Sequence, residues 1–161
     1  MKALVPVRSH YGNTTQVAEA LADAIRAGGH EAVVQDLRRR LPDLSGFGLV
    51  MVGAPTRMAR VTGRAKRILK KIARKGPAGI RVAVFDTYGP IPADPAELEK
   101  GRKWLEPGAA GIMLQLAKSL GLNVHPEALR CEVAGMKGPL KDGELDKARA
   151  FAAAVLAAVM K

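Results

Sequence analysis

Short β-rich runs alternate with helical patterns along this chain, and that alternation restricts its fold more than any other feature. The runs fall at residues 3–7, 31–37, 47–52, 80–86 and, more weakly, 128–133. Strands that follow one another through helices lie parallel, because a parallel crossover needs roughly a dozen residues to bring the chain back. The expected fold is therefore α/β, a doubly wound parallel sheet of five strands with helices on both faces.

The helices are written in their apolar spacing. Residues 14–27 put Val17, Ala20, Leu21, Ala24 and Ile25 on one face, with Gly28-Gly29 as the stop and Thr14 or Thr15 as a side-chain cap. After the third strand, Ala65, Ile68, Leu69 and Ile72 make a second stripe that ends at Gly76-Pro77. Pro107 opens a third helix over 108–120, closed by Gly121, and an alanine- and leucine-rich fourth covers 142–160. Residues 41–46 read as mostly loop. Residues 100–106 read as a polar connection that Trp104 anchors to the body. With 161 residues and no composition shift, repeat or linker, one domain over 1–161 is expected.

In a doubly wound sheet, ligands collect beyond the carboxyl ends of the strands, which selects the loops 8–14, 53–63 and 87–95. The first joins a buried strand to a helix N-terminus, where free N–H groups and the helix dipole favour an anion. Ser9, Tyr11, Asn13, Thr14 and Thr15 add short polar groups there, and Gly12 permits a left-handed turn or a close backbone approach. No G-x-G-x-x-G follows the first strand and no G-x-x-x-x-G-K-[ST] occurs anywhere, so dinucleotide and nucleoside-triphosphate sites lack their fingerprints. Arg8 and Ser9 stand where a receiver domain needs acidic metal ligands, and Cys131 is too distant in sequence for a cysteine phosphatase loop. A hydroxyl-rich phosphate loop without a lysine is what remains.

Ser9-His10-Tyr11-Gly12-Asn13-Thr14 resembles the phosphate loop of the flavodoxin-like family, [ST]-x-[TY]-G-x-[TS] directly after the first strand. Val52-Gly53-Ala54-Pro55-Thr56 and Asp86-Thr87-Tyr88-Gly89-Pro90 are similar to the family's two ring-binding loops, so the resemblance spans the chain. It implies strand order 2-1-3-4-5 and bound flavin mononucleotide (FMN). Carried over, Ser9, His10, Tyr11, Gly12, Asn13 and Thr14 surround the phosphate, while Pro55, Thr56, Arg57, Met58, Thr87, Tyr88 and Gly89 line the ring. His10 is either a partner for the phosphate dianion or an exposed bystander. Tyr11 stands where small electron-carrier flavodoxins have threonine and looks more like the quinone-reductase branch. Tyr88 is the one aromatic available to stack on the ring; Met58 is a candidate for its other face, or equally a core gap-filler. For Trp104, flavin contact is the lesser alternative to anchoring the 100–106 connection.

Flavodoxins are usually acidic, and this chain, at a net charge of +11, reverses the sign. Arg57, Arg60 and Arg64 around the ring loop imply, by the Coulomb term, a raised reduction potential for the last electron. With no glycine between Ala54 and Thr62, the resemblance implies a weakly stabilised one-electron-reduced state. Arg64, Lys66, Arg67, Lys70, Lys71, Arg74 and Lys75 surround the second helix's stripe, as a solvated face or as a dock for an acidic redox protein, ferredoxin-like or a reductase. Aromatics at 4% argue against base-stacking nucleic-acid binding.

One cysteine and three histidines do not make a metal cluster, and Cys131 reads as a buried thiol. No apolar run reaches membrane-spanning length and no signal-peptide pattern opens the sequence, so a cytoplasmic monomer or homo-oligomer is expected. The leading reading is an FMN-binding electron-transfer protein. The alternatives are an FMN-dependent NAD(P)H:quinone or flavin reductase, and a flavin-free basic interaction module.

Overall fold

The computed structural model describes residues 1–161. Its strands are β1 (Lys2–Val7), β2 (Glu31–Asp36), β3 (Leu49–Pro55), β4 (Arg81–Tyr88), β5 (Asn123–Val124) and β6 (Leu129–Glu132). They form one parallel sheet in the order β2-β1-β3-β4-β5, with β6 also on β4. The helices are α1 (Asn13–Ala27), α2 (Gly63–Lys75), α3 (Pro95–Leu105), α4 (Gly108–Ser119) and α5 (Glu144–Val159). This is the doubly wound flavodoxin-like fold and strand order that the sequence implies.

Each central strand divides its side chains between the two faces. Ala3, Val5, Leu49, Met51, Ala83 and Phe85 join the core under α1 and α5, while Leu4, Val50, Val52, Val82 and Val84 join the core under α2 and α4. Helices cover both faces, so the strands are apolar throughout instead of alternating. The α2 stripe of Ala65, Ile68, Leu69 and Ile72 is buried as its spacing predicts. Each large side chain of that stripe stabilises the fold by about 1.5–3 kcal/mol. Gly53 is demanded by packing: a Cβ there would lie 2.1 Å from the Phe85 ring.

Three details differ from the sequence reading. The fifth position in the sheet is split, with β5 pairing Arg81 and Val82 and β6 pairing Phe85 to Tyr88. Pro126, which has no N–H for a ladder, sits in the gap. The α1 N-terminus has no side-chain cap from Thr14 or Thr15; Gly12 is its N-cap residue, and Ser9 Oγ accepts from the N–H of Gly12 (3.0 Å) and Thr15 (3.4 Å). The segment read as a polar connection belongs to α3, capped by Asp94, whose carboxylate accepts from Glu97 N–H. α3 buries none of its residues and Trp104 is exposed, so Trp104 does not anchor it. No helix is long and apolar enough to cross a membrane.

Candidate functional site

The three loops at the carboxyl ends of β1, β3 and β4 converge on a cavity of about 300 Å³. Of the residues expected at a cofactor site, His10, Tyr11, Asn13, Thr14, Pro55, Thr56, Arg57, Met58, Thr87, Tyr88 and Gly89 line it. Ser9 and Gly12 do not. They shape the loop behind the lining: Ser9 Oγ ties the turn, and Gly12 takes the left-handed backbone that starts α1 (φ 91°).

One end of the cavity is polar. The backbone N–H groups of His10, Tyr11, Asn13 and Thr14 have no acceptor within the chain. These are the orphan donors of a helix N-terminus and its approach, at the positive end of the α1 dipole. Asn13 and Thr14 are buried. The Thr14 and Thr87 hydroxyls bond each other at 2.8 Å across the β1 and β4 ends. One of the pair donates, so the other keeps its proton for a ligand. Arg57 Nη1 donates to His10 Nδ1 (3.3 Å), and the His10 and Tyr11 rings pack edge to face.

The rest of the lining is more apolar, with Pro55, Met58, Tyr88 and Gly89 joined by Val133 and Met136. These last two were not expected from sequence. They come from the hairpin after β6, where Val133 N–H donates to Tyr88 O and Ala134 N–H to Pro139 O. The hairpin presses on the phosphate-loop side as well: a Cβ on Gly138 (φ +99°) would lie 2.5 Å from Asn13 Oδ1. Lys137 Nζ is 6.0 Å from the Tyr11 ring centre. The sequence signal was the pair Gly135 and Gly138 flanking Met136-Lys137.

Behind Tyr88 lies a network that sequence reasoning also missed. Asp86 is fully buried. It accepts from Arg130 Nε (3.0 Å), Arg130 Nη2 (3.0 Å), Thr56 Oγ1 (2.6 Å) and Ala110 N–H (3.1 Å). Thr56 Oγ1 in turn accepts from Ala109 N–H. The Arg130 guanidinium also donates to Leu105 O and sits 3.9 Å from the Tyr88 ring centre, a stacked cation–π contact. Tyr88 is thus backed by a cation that four hydrogen bonds hold in place. Burial raises the Tyr88 phenol above its ordinary value, against the opposing charges of Arg130 and Lys147. Cys131 is fully buried nearby, and burial pushes its thiol up to about 12, so it is no nucleophile here.

The loop from β3 to α2 carries its own strain. Arg57 and Arg60 exchange backbone hydrogen bonds across a tight turn, which puts Met58 (φ 50°) and Ala59 (φ 63°) in the left-handed region. Both residues lack the freedom of glycine. Met58 is 71% exposed, so it is not core filler. A cavity with anion donors at one end and a Tyr, Met and Pro surface at the other fits a phosphate joined to a flat ring. A larger, open groove along the β2 edge presents chiefly Arg38, Arg39 and Arg40 and has no such pairing of chemistries.

A sequence model of the flavodoxin domain matches residues 4–103. No curated protein matches the chain by sequence. Among solved structures, a flavodoxin from the domain Archaea is similar over 100% of both chains, with 21% identity and a TM-score of 0.76. Oxidised flavodoxin 1 from Bacillus cereus is similar over 98% of both, with 20% identity and a TM-score of 0.71. Rubredoxin oxygen:oxidoreductase from Desulfovibrio gigas is similar over 99% of this chain and 36% of its own, with 16% identity and a TM-score of 0.68.

Proposed function

The chain belongs to the flavodoxin domain family, and from that premise we propose that it binds FMN in the loop cavity and transfers electrons. The observation that carries this reading is the cavity's division into unpaired N–H donors at one end and the Tyr88–Met58 surface at the other. His10, Tyr11, Asn13 and Thr14 direct their N–H groups to the phosphate, and Ser9 and Gly12 hold that loop in shape. Pro55, Thr56, Arg57, Met58, Thr87, Tyr88 and Gly89 bound the ring. When bound, FMN supplies reversible uptake of one or two electrons. The chain orients it, and Arg57 and Arg60 favour negative charge on its reduced form.

The partner we propose is an acidic redox protein on α2. Arg64, Lys66, Arg67, Lys70, Lys71, Arg74 and Lys75 include no acidic neighbour within the helix, and none of them is in an ion pair. The visible spectrum of the purified protein, with and without added FMN, tests the cofactor. Flavin absorbance that stays with the protein on gel filtration is expected. Colourless protein that refuses FMN overturns the reading in favour of a flavin-free basic module. Rapid NAD(P)H oxidation by the holoprotein without any protein partner favours a reductase over a carrier.

A further inference from the structure

A second cavity, of about 290 Å³, abuts the first and shares Thr56, Met58 and Gly89 with it. One wall is α3, through Gly101, Trp104 and Leu105. These positions are spaced i, i+3 and i+4, so they share one face of the helix. A surface helix ordinarily commits its apolar face to the core. α3 does not: none of its residues is buried, and Trp104 is 47% exposed. The opposite wall is Pro90 and Pro92, rigid rings with no N–H to offer.

The chemistry of the slot selects its occupant. No charged residue lines it. Its polar side-chain groups are the Thr56 hydroxyl, already committed in donating to Asp86 and accepting from Ala109 N–H, and the Trp104 indole N–H. A molecule held here therefore gains mainly contact area, with the indole N–H as the one side-chain donor left to it, which favours an apolar body. Indole and proline walls favour a flat one. The volume is at the small end of ligand cavities, which run from about 300 to 1,000 Å³. A second copy of the chain is a poor occupant, because each copy carries a net charge of +11.

We infer that this slot binds a flat, apolar aromatic molecule of one- or two-ring size against Trp104, at the rim of the candidate cofactor cavity. Its redox meaning, as the seat of a small diffusible molecule that exchanges electrons with the flavin, rests on the proposed FMN reading. Binding itself does not.

Trp104 is the only tryptophan, so its fluorescence reports on the slot directly. The probe is 1,4-naphthoquinone, titrated into the protein with and without FMN, with N-acetyltryptophanamide as the free-indole control. Saturable quenching is expected, distinct from the linear collisional quenching of the control. The variant Gly101→Leu fills the slot: a Cβ at this position meets only Pro92 Cγ, at 3.9 Å, so the larger side chain has room. It should weaken quinone binding by at least tenfold and leave the FMN titration unchanged.

Linear quenching that matches the control, or equal affinity in Gly101→Leu, overturns the inference. So does Trp104 emission that shifts on dilution together with the sedimentation coefficient, since a second copy then covers the slot. FMN absorbance is read in the same samples. Failure to bind FMN sinks the cofactor reading and leaves the quenching result to decide this one alone.

Discussion

Asp86 is shut off from water, so its surroundings have to replace a hydration shell. Arg130, Thr56 and Ala110 N–H do so between them. Removing one partner of a buried ion pair costs about 3–5 kcal/mol, because the remaining charge stays buried without compensation. Arg130→Met should therefore lower stability in urea melts by about that amount, and adding Asp86→Asn should recover part of it. The same variant takes away the cation behind Tyr88. Tyr88 then loses the contact that holds its ring in place, so the FMN dissociation constant should rise. Unchanged FMN affinity in folded Arg130→Met would show that Tyr88 needs no backing. His125 gives a second test at this scale. It is buried, its Nδ1 has no partner, and burial with the nearby Arg81 charge lowers its pKa. The unfolded chain then binds the proton more readily, so stability should be full above about pH 6.5 and fall as pH drops through the lowered value. Thermal midpoints from pH 8 to 5 should show that fall in the parent protein and a shallower one in His125→Asn.

At the scale of elements, the turn between β3 and α2 is the strained piece. Two-residue turns with both residues at positive φ favour Asn-Gly, and here the residues are Met58 and Ala59. Ala59→Gly relieves about 1–2 kcal/mol of steric cost and gives back about 0.5–1 in chain entropy. A gain of up to about 1.5 kcal/mol in unfolding free energy is expected; a loss would mean that the turn is not strained. The absence of glycine in this loop, legible in the sequence, thus does not prevent the left-handed backbone. It makes that backbone expensive. Most of the rest was also legible, because the α2 stripe, the apolar central strands and the three strand-end loops announce themselves over short stretches of chain. What escaped depends on distant contacts. Val133 and Met136 reach the cavity only because the 133–140 hairpin folds back on Asn13, and Arg130 matters only because β6 lies beside β4. α3 had a readable start in Asp94-Pro95-Ala96-Glu97, but no buried stripe to confirm it.

Over the whole molecule the charge is unevenly spent. The ion pairs lie on other elements, while the cations of α2 are free and follow directly on Arg57 and Arg60. Association with an acidic one-electron carrier should therefore slow at least tenfold as ionic strength rises from about 0.01 to 0.15 M, where the screening length shrinks from about 30 to 8 Å. Stopped-flow transfer rates measure this. The triple variant Lys66→Glu, Arg67→Glu, Lys70→Glu should flatten the salt dependence and leave FMN binding alone. Rates indifferent to salt would make α2 an ordinary solvated face. Arg57, Arg60 and Arg64 should lift the potential of the last electron above that of acidic flavodoxins, which potentiometric titration reads.

Because α3 contributes nothing to the interior, the demands of folding and the demands of recognition fall on different residues there. Substitutions along its inward face can redraw the slot beside Trp104 without loosening the sheet. Descendants of this chain are thus free to change what they recognise while keeping the same foundation.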